Sequence, residues 1–364
     1  MKSNKFKLVF INLFFIILAL VAAEFIATKY FKSEFKNFKK KILIYSQDKV
    51  FENYEDIFLH KKNTNFISST FYFDEDKKEI INEYSYKVST NNEGLVQKKN
   101  IKPGKKTIFI LGASEAKGQG AEPWFYDFEK TIKLNNNTQI LNIGFIGTGP
   151  EQQIKIMNLI RKKYNLSINK IIFIITPGEL NRNIWNFNDQ QLRCLKDHTK
   201  CIGTENIYGY DFNLSNEKKF AEQIYAIKGG ERNSFKPFLN ALNQGNYFQA
   251  IKELAKNSYL IKKLYLSLFK SKSMLNSGEE NFEAIKKIVK LNKNKVFILH
   301  PNNRGQTDPE ESELVVKLVK NLNLKNYYFY CQIPPIKGFH KNDSHPNKLG
   351  YSKLKNCLVK LLNN

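Results

Sequence analysis

The rhythm of apolar and polar positions changes near residue 105. Beyond it, short β-branched and aromatic runs at 107–111, 139–143, 170–176, 295–300 and 326–331 alternate with helix-period stretches at 152–164, 310–321 and 347–362. Runs that are apolar almost throughout fit strands covered on both faces. The alternation predicts an α/β fold: a three-layer, flavodoxin-like parallel sheet of about five strands, with helices on both faces and right-handed crossovers.

One gap breaks the pattern. More than a hundred residues separate the third strand from the fourth, with helix-like stretches near 217–226, 248–268 and 279–291. That is too long for a plain crossover, so it predicts a helical insertion at about 184–292, beside the carboxyl ends of the strands. Residues 29–105 lack sustained periodicity and read as a stalk followed by an irregular extension with short strands such as 85–88. Three segments result: an N-terminal anchor or signal at 1–28, the extension at 29–105, and the α/β domain at 106–364.

The first segment sets an expectation of export. Lys2, Lys5 and Lys7 precede an apolar run from 8 to 23, close to the minimum needed to span a bilayer. Ala22 and Ala23 could end a cleaved signal, but the length of the run favours an uncleaved single anchor in a bacterial inner membrane with the α/β domain in the periplasm. The net charge of +24 adds little, because only five of 58 basic residues are Arg and the lysines are scattered; no specific nucleic-acid partner is expected. Four cysteines without a C-x-x-C spacing make a zinc or redox site improbable. Cys194 with Cys201 and Cys331 with Cys357 could form bridges, or all four could be small buried hydrophobes.

The chemistry gathers at strand ends. The run Thr107 to Leu111 stops at Gly112 and presents Ser114 just past the carboxyl end of the first strand, where open α/β sheets place ligands. Asp343 and His345 lie two apart in the loop between the last strand and the last helix. There His345 could take the serine proton while Asp343 holds the imidazole, or Asp343 and Ser344 could simply cap the helix with His345 on the surface. The glycine-rich turn from Gly144 through Gly147 to Gly149 could offer backbone N–H groups to an oxyanion or cradle a phosphate; it lacks the ending of a P-loop and the full dinucleotide spacing. After the third strand, Asn181 or Asn183 could donate a side-chain amide.

In this order the pieces resemble the SGNH (GDSL-type) hydrolase superfamily over about 106–362, less the insertion. Gly112-Ala113-Ser114 is similar to its nucleophile block, Asn142 to Gly147 to its oxyanion-glycine block with Gly147 the better match, and Asp343-Ser344-His345-Pro346 to its last block. The stretch from Asn142 to Gln152, the run from Asp343 to Gly350 and the anchor ending in Ala23-Glu24-Phe25-Ile26 also look like membrane-anchored bacterial members. The resemblance implies Ser114 as nucleophile, His345 as base, Asp343 as its orienting acid, and Gly147 with Asn181 at the oxyanion. It implies no metal or organic cofactor, and an ester-bearing substrate such as an acylated envelope polysaccharide. Gly178 stands where the family has its catalytic Asn. The nucleophile elbow of α/β-hydrolases is the nearest rival, but there the serine follows a middle strand and the acid and base come from separate loops. The alternative function is a catalytically degenerate scaffold that binds an envelope polymer or partner.

Overall fold

The computed structural model describes residues 41–46, 50–54, 57–74, 77, 79–180, 218–219, 221–222, 236–243, 245–247, 250, 258, 260–261, 279–307 and 313–363, with positions 12, 15, 18–20 and 22–27. Two compact units divide the chain: Met1–Lys40 with Gly229–Ser273, and Lys41–Lys228 with Met274–Asn364. In the first, a helix runs over Lys236–Asn243, and Glu24 accepts a hydrogen bond from Ser258 Oγ at 2.6 Å. Among the described residues no helix is long and apolar enough to cross a membrane. Most of the apolar run 8–23, most of the insertion, Asn181, Asn183, Cys194 and Cys201 lie outside them.

The second unit is an α/β structure built on a five-stranded parallel sheet. Its strands are β6 (Lys106–Gly112), β7 (Thr138–Asn142), β8 (Ser167–Ile174), β9 (Val296–Pro301) and β10 (Tyr328–Cys331), in the order β10-β9-β8-β6-β7. Counted along the chain this is 2-1-3-4-5, the flavodoxin-like order. Helices cover both faces. Phe109 and Leu111 of β6 join Ile156, Met157 and Ile160 of α3 (Pro150–Lys163), Ile285 of α4 (residues 279–292) and Leu318 of α5 (Glu313–Asn321). Ile108 and Ile110, pointing the other way, meet Phe125 and Phe128 of α2 (Phe125–Thr131) and Leu354 and Leu358 of α6 (Lys348–Asn363). Strand-period alternation within one buried run thus feeds two cores.

Residues 41–89 are more regular than a stalk and irregular extension. β1 (Lys41–Tyr45), β4 (Asn65–Asp74) and β5 (Glu79–Ser89) form an antiparallel sheet in the order β1-β4-β5, and β2 (Phe51–Tyr54) with β3 (Ile57–His60) form a hairpin. β4 eludes a period-2 reading because six consecutive residues, from Ser68 to Phe73, are buried, and its register with β5 shifts between Thr70 and Phe71. Phe66 faces the core shared with the parallel sheet, while Phe71 and Phe73 pack with Ile42 and Ile44 in a separate cluster.

Of the two cysteine pairings that the spacing allowed, Cys331 at the end of β10 is bridged to Cys357 on α6, 26 residues away. Closing a loop of that length is worth about 3 kcal/mol in the chain-entropy account. Cys357→Ser, or added reductant, is therefore expected to lower the melting temperature by several degrees; a melt insensitive to both contradicts this.

Candidate active site

Ser114 opens a four-residue helix, α1 (Ser114–Lys117), immediately after β6. The turn is possible because residue 112 has no side chain: a Cβ there would lie 2.7 Å from Ala116 Cβ and 2.8 Å from the Ile174 carbonyl oxygen. Ser114 is 3% exposed, and its Oγ donates to Glu115 Oε2 at 3.0 Å. It sits at the carboxyl edge of the sheet on the strand where the connection order reverses, the usual ligand position of such sheets.

Asp343 and His345 occupy the loop between β10 and α6. His345 Nδ1 donates to Asp343 Oδ1 at 2.6 Å, with the His345 backbone N–H at 3.4 Å from the same oxygen. With its Nδ1 proton committed to the carboxylate, the ring keeps its basic lone pair on Nε2. Both side chains are well buried, 12% and 4% exposed. The loop is closed on itself by a Phe339–Pro346 bridge and by His340 N–H to the His345 carbonyl at 3.2 Å. Gly350 lets α6 start there, since a Cβ would fall 2.2 Å from the Gly338 carbonyl oxygen.

Ser114 and His345 are not hydrogen-bonded to each other; the loops that carry them are joined through Gln119. The Gln119 backbone N–H donates to the Ser114 carbonyl at 2.9 Å, and its own carbonyl accepts from Tyr351 OH at 2.6 Å. Its side-chain amide donates to Tyr84 OH at 3.2 Å, and Tyr84 OH in turn donates to Asp343 Oδ2 at 2.6 Å. Next to it, the Gly120 carbonyl accepts from His340 Nε2 at 2.6 Å. Burial, and then the charge of Asp343, holds the Tyr84 hydroxyl well above its ordinary pKa, so it remains a donor.

The turn after β7 divides its two candidate glycines. Gly147 is exposed, adopts φ 73°, and has nothing within 4 Å of where a Cβ would be, which leaves its backbone approachable. Gly144 is a packing residue: a Cβ would lie 2.5 Å from Lys117 N and 2.6 Å from Ala116 C. Asn142 ties this turn to α1, its Nδ2 donating to the Ala116 carbonyl at 2.9 Å and its Oδ1 accepting from Gly144 N–H at 2.9 Å.

The block after β8, where the resemblance is weakest, has its own use for Glu179. This fully buried carboxylate takes the Ala113 N–H at 3.0 Å and the Thr176 N–H at 3.2 Å, clasping the ends of β6 and β8 beside Ser114. Gly178 lies in the same 3-10 turn, Pro177–Glu179, and has no side chain to offer a substrate.

Lys117 is a further resident that sequence reasoning passed over. It is 1% exposed, makes no ion pair among the described residues, and places Nζ 5.7 Å from the Tyr45 ring centroid. Burial pushes its pKa down to about 7. His60 lies nearby, stacked at 5.0 Å on Phe51 and 5.1 Å from Phe145, and is held well below its ordinary value by burial first and by Lys117 second. Neither Tyr84 nor Lys117 had a sequence signal; both look like ordinary members of a strand and a helix. Among the described residues no group of three or more His, Cys, Asp or Glu is placed to hold a metal ion.

No protein-family model matches the chain, and no curated protein matches it. Among solved structures the chain is similar, at a TM-score of 0.33 and 12% identity over 70% of its length and 94% of the other's, to a lipase/acylhydrolase from Enterococcus faecalis. It is likewise similar to two catalytic mutants of an acetylxylan esterase from Geobacillus stearothermophilus, at TM-scores of 0.31 and 0.32 and 10% identity, over 72% of this chain and 95% and 96% of theirs.

Proposed function

We propose that the chain is a serine esterase of the SGNH type, acting on O-acyl, chiefly O-acetyl, groups of envelope glycans. The observation that carries this reading is the 2.6 Å Asp343–His345 pair, held on a loop that Tyr84 and Gln119 join to the turn bearing Ser114. In the reaction Ser114 Oγ turns from Glu115 to His345 Nε2, which takes its proton as the oxygen attacks the ester carbonyl. The Gly147 and Ser114 N–H groups and the Asn181 amide receive the oxyanion. His345 then protonates the departing sugar oxygen and next activates water, or a second sugar hydroxyl, to release the acyl group from Ser114. Asp343 fixes the tautomer and stabilises the imidazolium throughout.

The enzyme is read as anchored in a bacterial inner membrane by the run 8–23, with the α/β domain outside the cytoplasm. The basic residues before that run and the Cys331–Cys357 bridge, a feature of oxidising compartments, support this. A second reading, a scaffold without turnover, is favoured by the Ser114–Glu115 bond and by Gly178 in the place of an amide. A fluorophosphonate probe decides between them. The esterase is labelled and Ser114→Ala is not; a well-folded chain that is neither labelled nor active on acetylated sugars is the scaffold.

A further inference from the structure

The N-terminal sheet reaches into the last loop at two adjacent residues of β5. Glu83 accepts from Asn342 backbone N–H at 2.7 Å and from Asn342 Nδ2 at 2.6 Å, pinning the residue just before Asp343. Tyr84 donates to Asp343 Oδ2, the oxygen that His345 does not use. On the neighbouring strand β4, burial, then the charges of Asp343 and Glu83, raise the pKa of Tyr72. The Tyr84 ring lies 4.6 Å from that of His340, whose Nε2 is tied to Gly120. A carboxylate that is 4% exposed cannot rely on water for its second oxygen.

Resting on the esterase reading above, we propose that Tyr84 is a positioning residue for catalysis: through its bond to Oδ2 it sets the orientation of Asp343 and the share of its charge left to hold His345. The residue touches no substrate. It acts because a carboxylate that shares its charge with a phenol donor stabilises an imidazolium less than an unshared one. The Glu83–Asn342 clamp holds the same loop, so β5 serves as one wall of the acid's pocket.

The test compares wild type with Tyr84→Phe, which keeps the ring and loses the hydroxyl. Two readouts are used: the pH profile of kcat/KM on an acetylated sugar, and the low-field proton resonance of His345 Nδ1, identified by its loss in His345→Ala. Tyr84→Phe is expected to lower kcat about tenfold with KM unchanged, to move the acid limb of the profile to higher pH, and to shift the resonance. If the variant melts early, both readouts are taken below its transition temperature. A folded variant with an unchanged acid limb and an unchanged resonance overturns the proposal, even if kcat falls. If wild type has no turnover and takes no fluorophosphonate, the esterase reading fails separately, and the resonance alone then decides whether Tyr84 controls the Asp343–His345 pair.

Discussion

Replacing His345 with alanine is expected to lower kcat on an acetylated sugar by about four to six orders of magnitude, with little change in KM or melting temperature. In serine hydrolases, removal of the base costs nearly as much as removal of the nucleophile, because neither works without the other. Here the expectation rests on a tautomer: the Asp343 bond at 2.6 Å leaves Nε2 as the one basic ring nitrogen. Asp343→Asn, which keeps the shape and favours the wrong tautomer, is expected to cost about 10⁴. Steady-state kinetics with the three proteins check this. A loss of less than tenfold in His345→Ala would remove it from the chemistry and leave Ser114 without a base.

The second large effect concerns stability. Lys117 has a pKa of about 7 in the folded chain, against an ordinary 10.5. Below pH 7 it is charged in both states, and the folded state bears the full cost of a buried ammonium that faces the Tyr45 ring and His60. Between pH 7 and 10.5 the unfolded chain binds more protons than the folded one, so stability rises with pH; above that range the amine is neutral in both and the cost is gone. Lys117→Met is therefore expected to be more stable than wild type at pH 6, with the gap narrowing by about 4 kcal/mol by pH 10. Urea unfolding at a series of pH values measures it. A gap that stays constant with pH sinks the assignment, because the added apolar contacts of Met contribute equally at every pH.

The parallel sheet was legible because its strands are buried on both faces and therefore read as unbroken apolar runs; β6, β8 and β9 fall within a few residues of their expected positions. The Asp343–His345 contact could be anticipated because the two residues are near neighbours on one loop. What escaped notice is what long-range contact creates. β4 carries Ser68, Ser69 and Thr70 among its buried residues, so it looks half polar while lying inside the fold. Tyr84 is separated from Asp343 by 259 residues, and nothing in its local spacing marks the partnership. Glu179 is a case of the same kind: it follows Gly178, which stands where the family has its catalytic Asn, and only the fold shows its side chain holding together the two strand ends that flank Ser114.

That separation also has a consequence for biosynthesis. The donor side of the Tyr84–Asp343 bond emerges from the ribosome early and the acceptor side almost last. The parallel sheet meanwhile adds β8, β9 and β10 outward from β6 in order of synthesis. A nascent chain can thus build its strands progressively while the candidate site stays incomplete, and the Asp343–His345 pair joins Tyr84 in one late step, when the last loop docks and α6 packs onto the sheet.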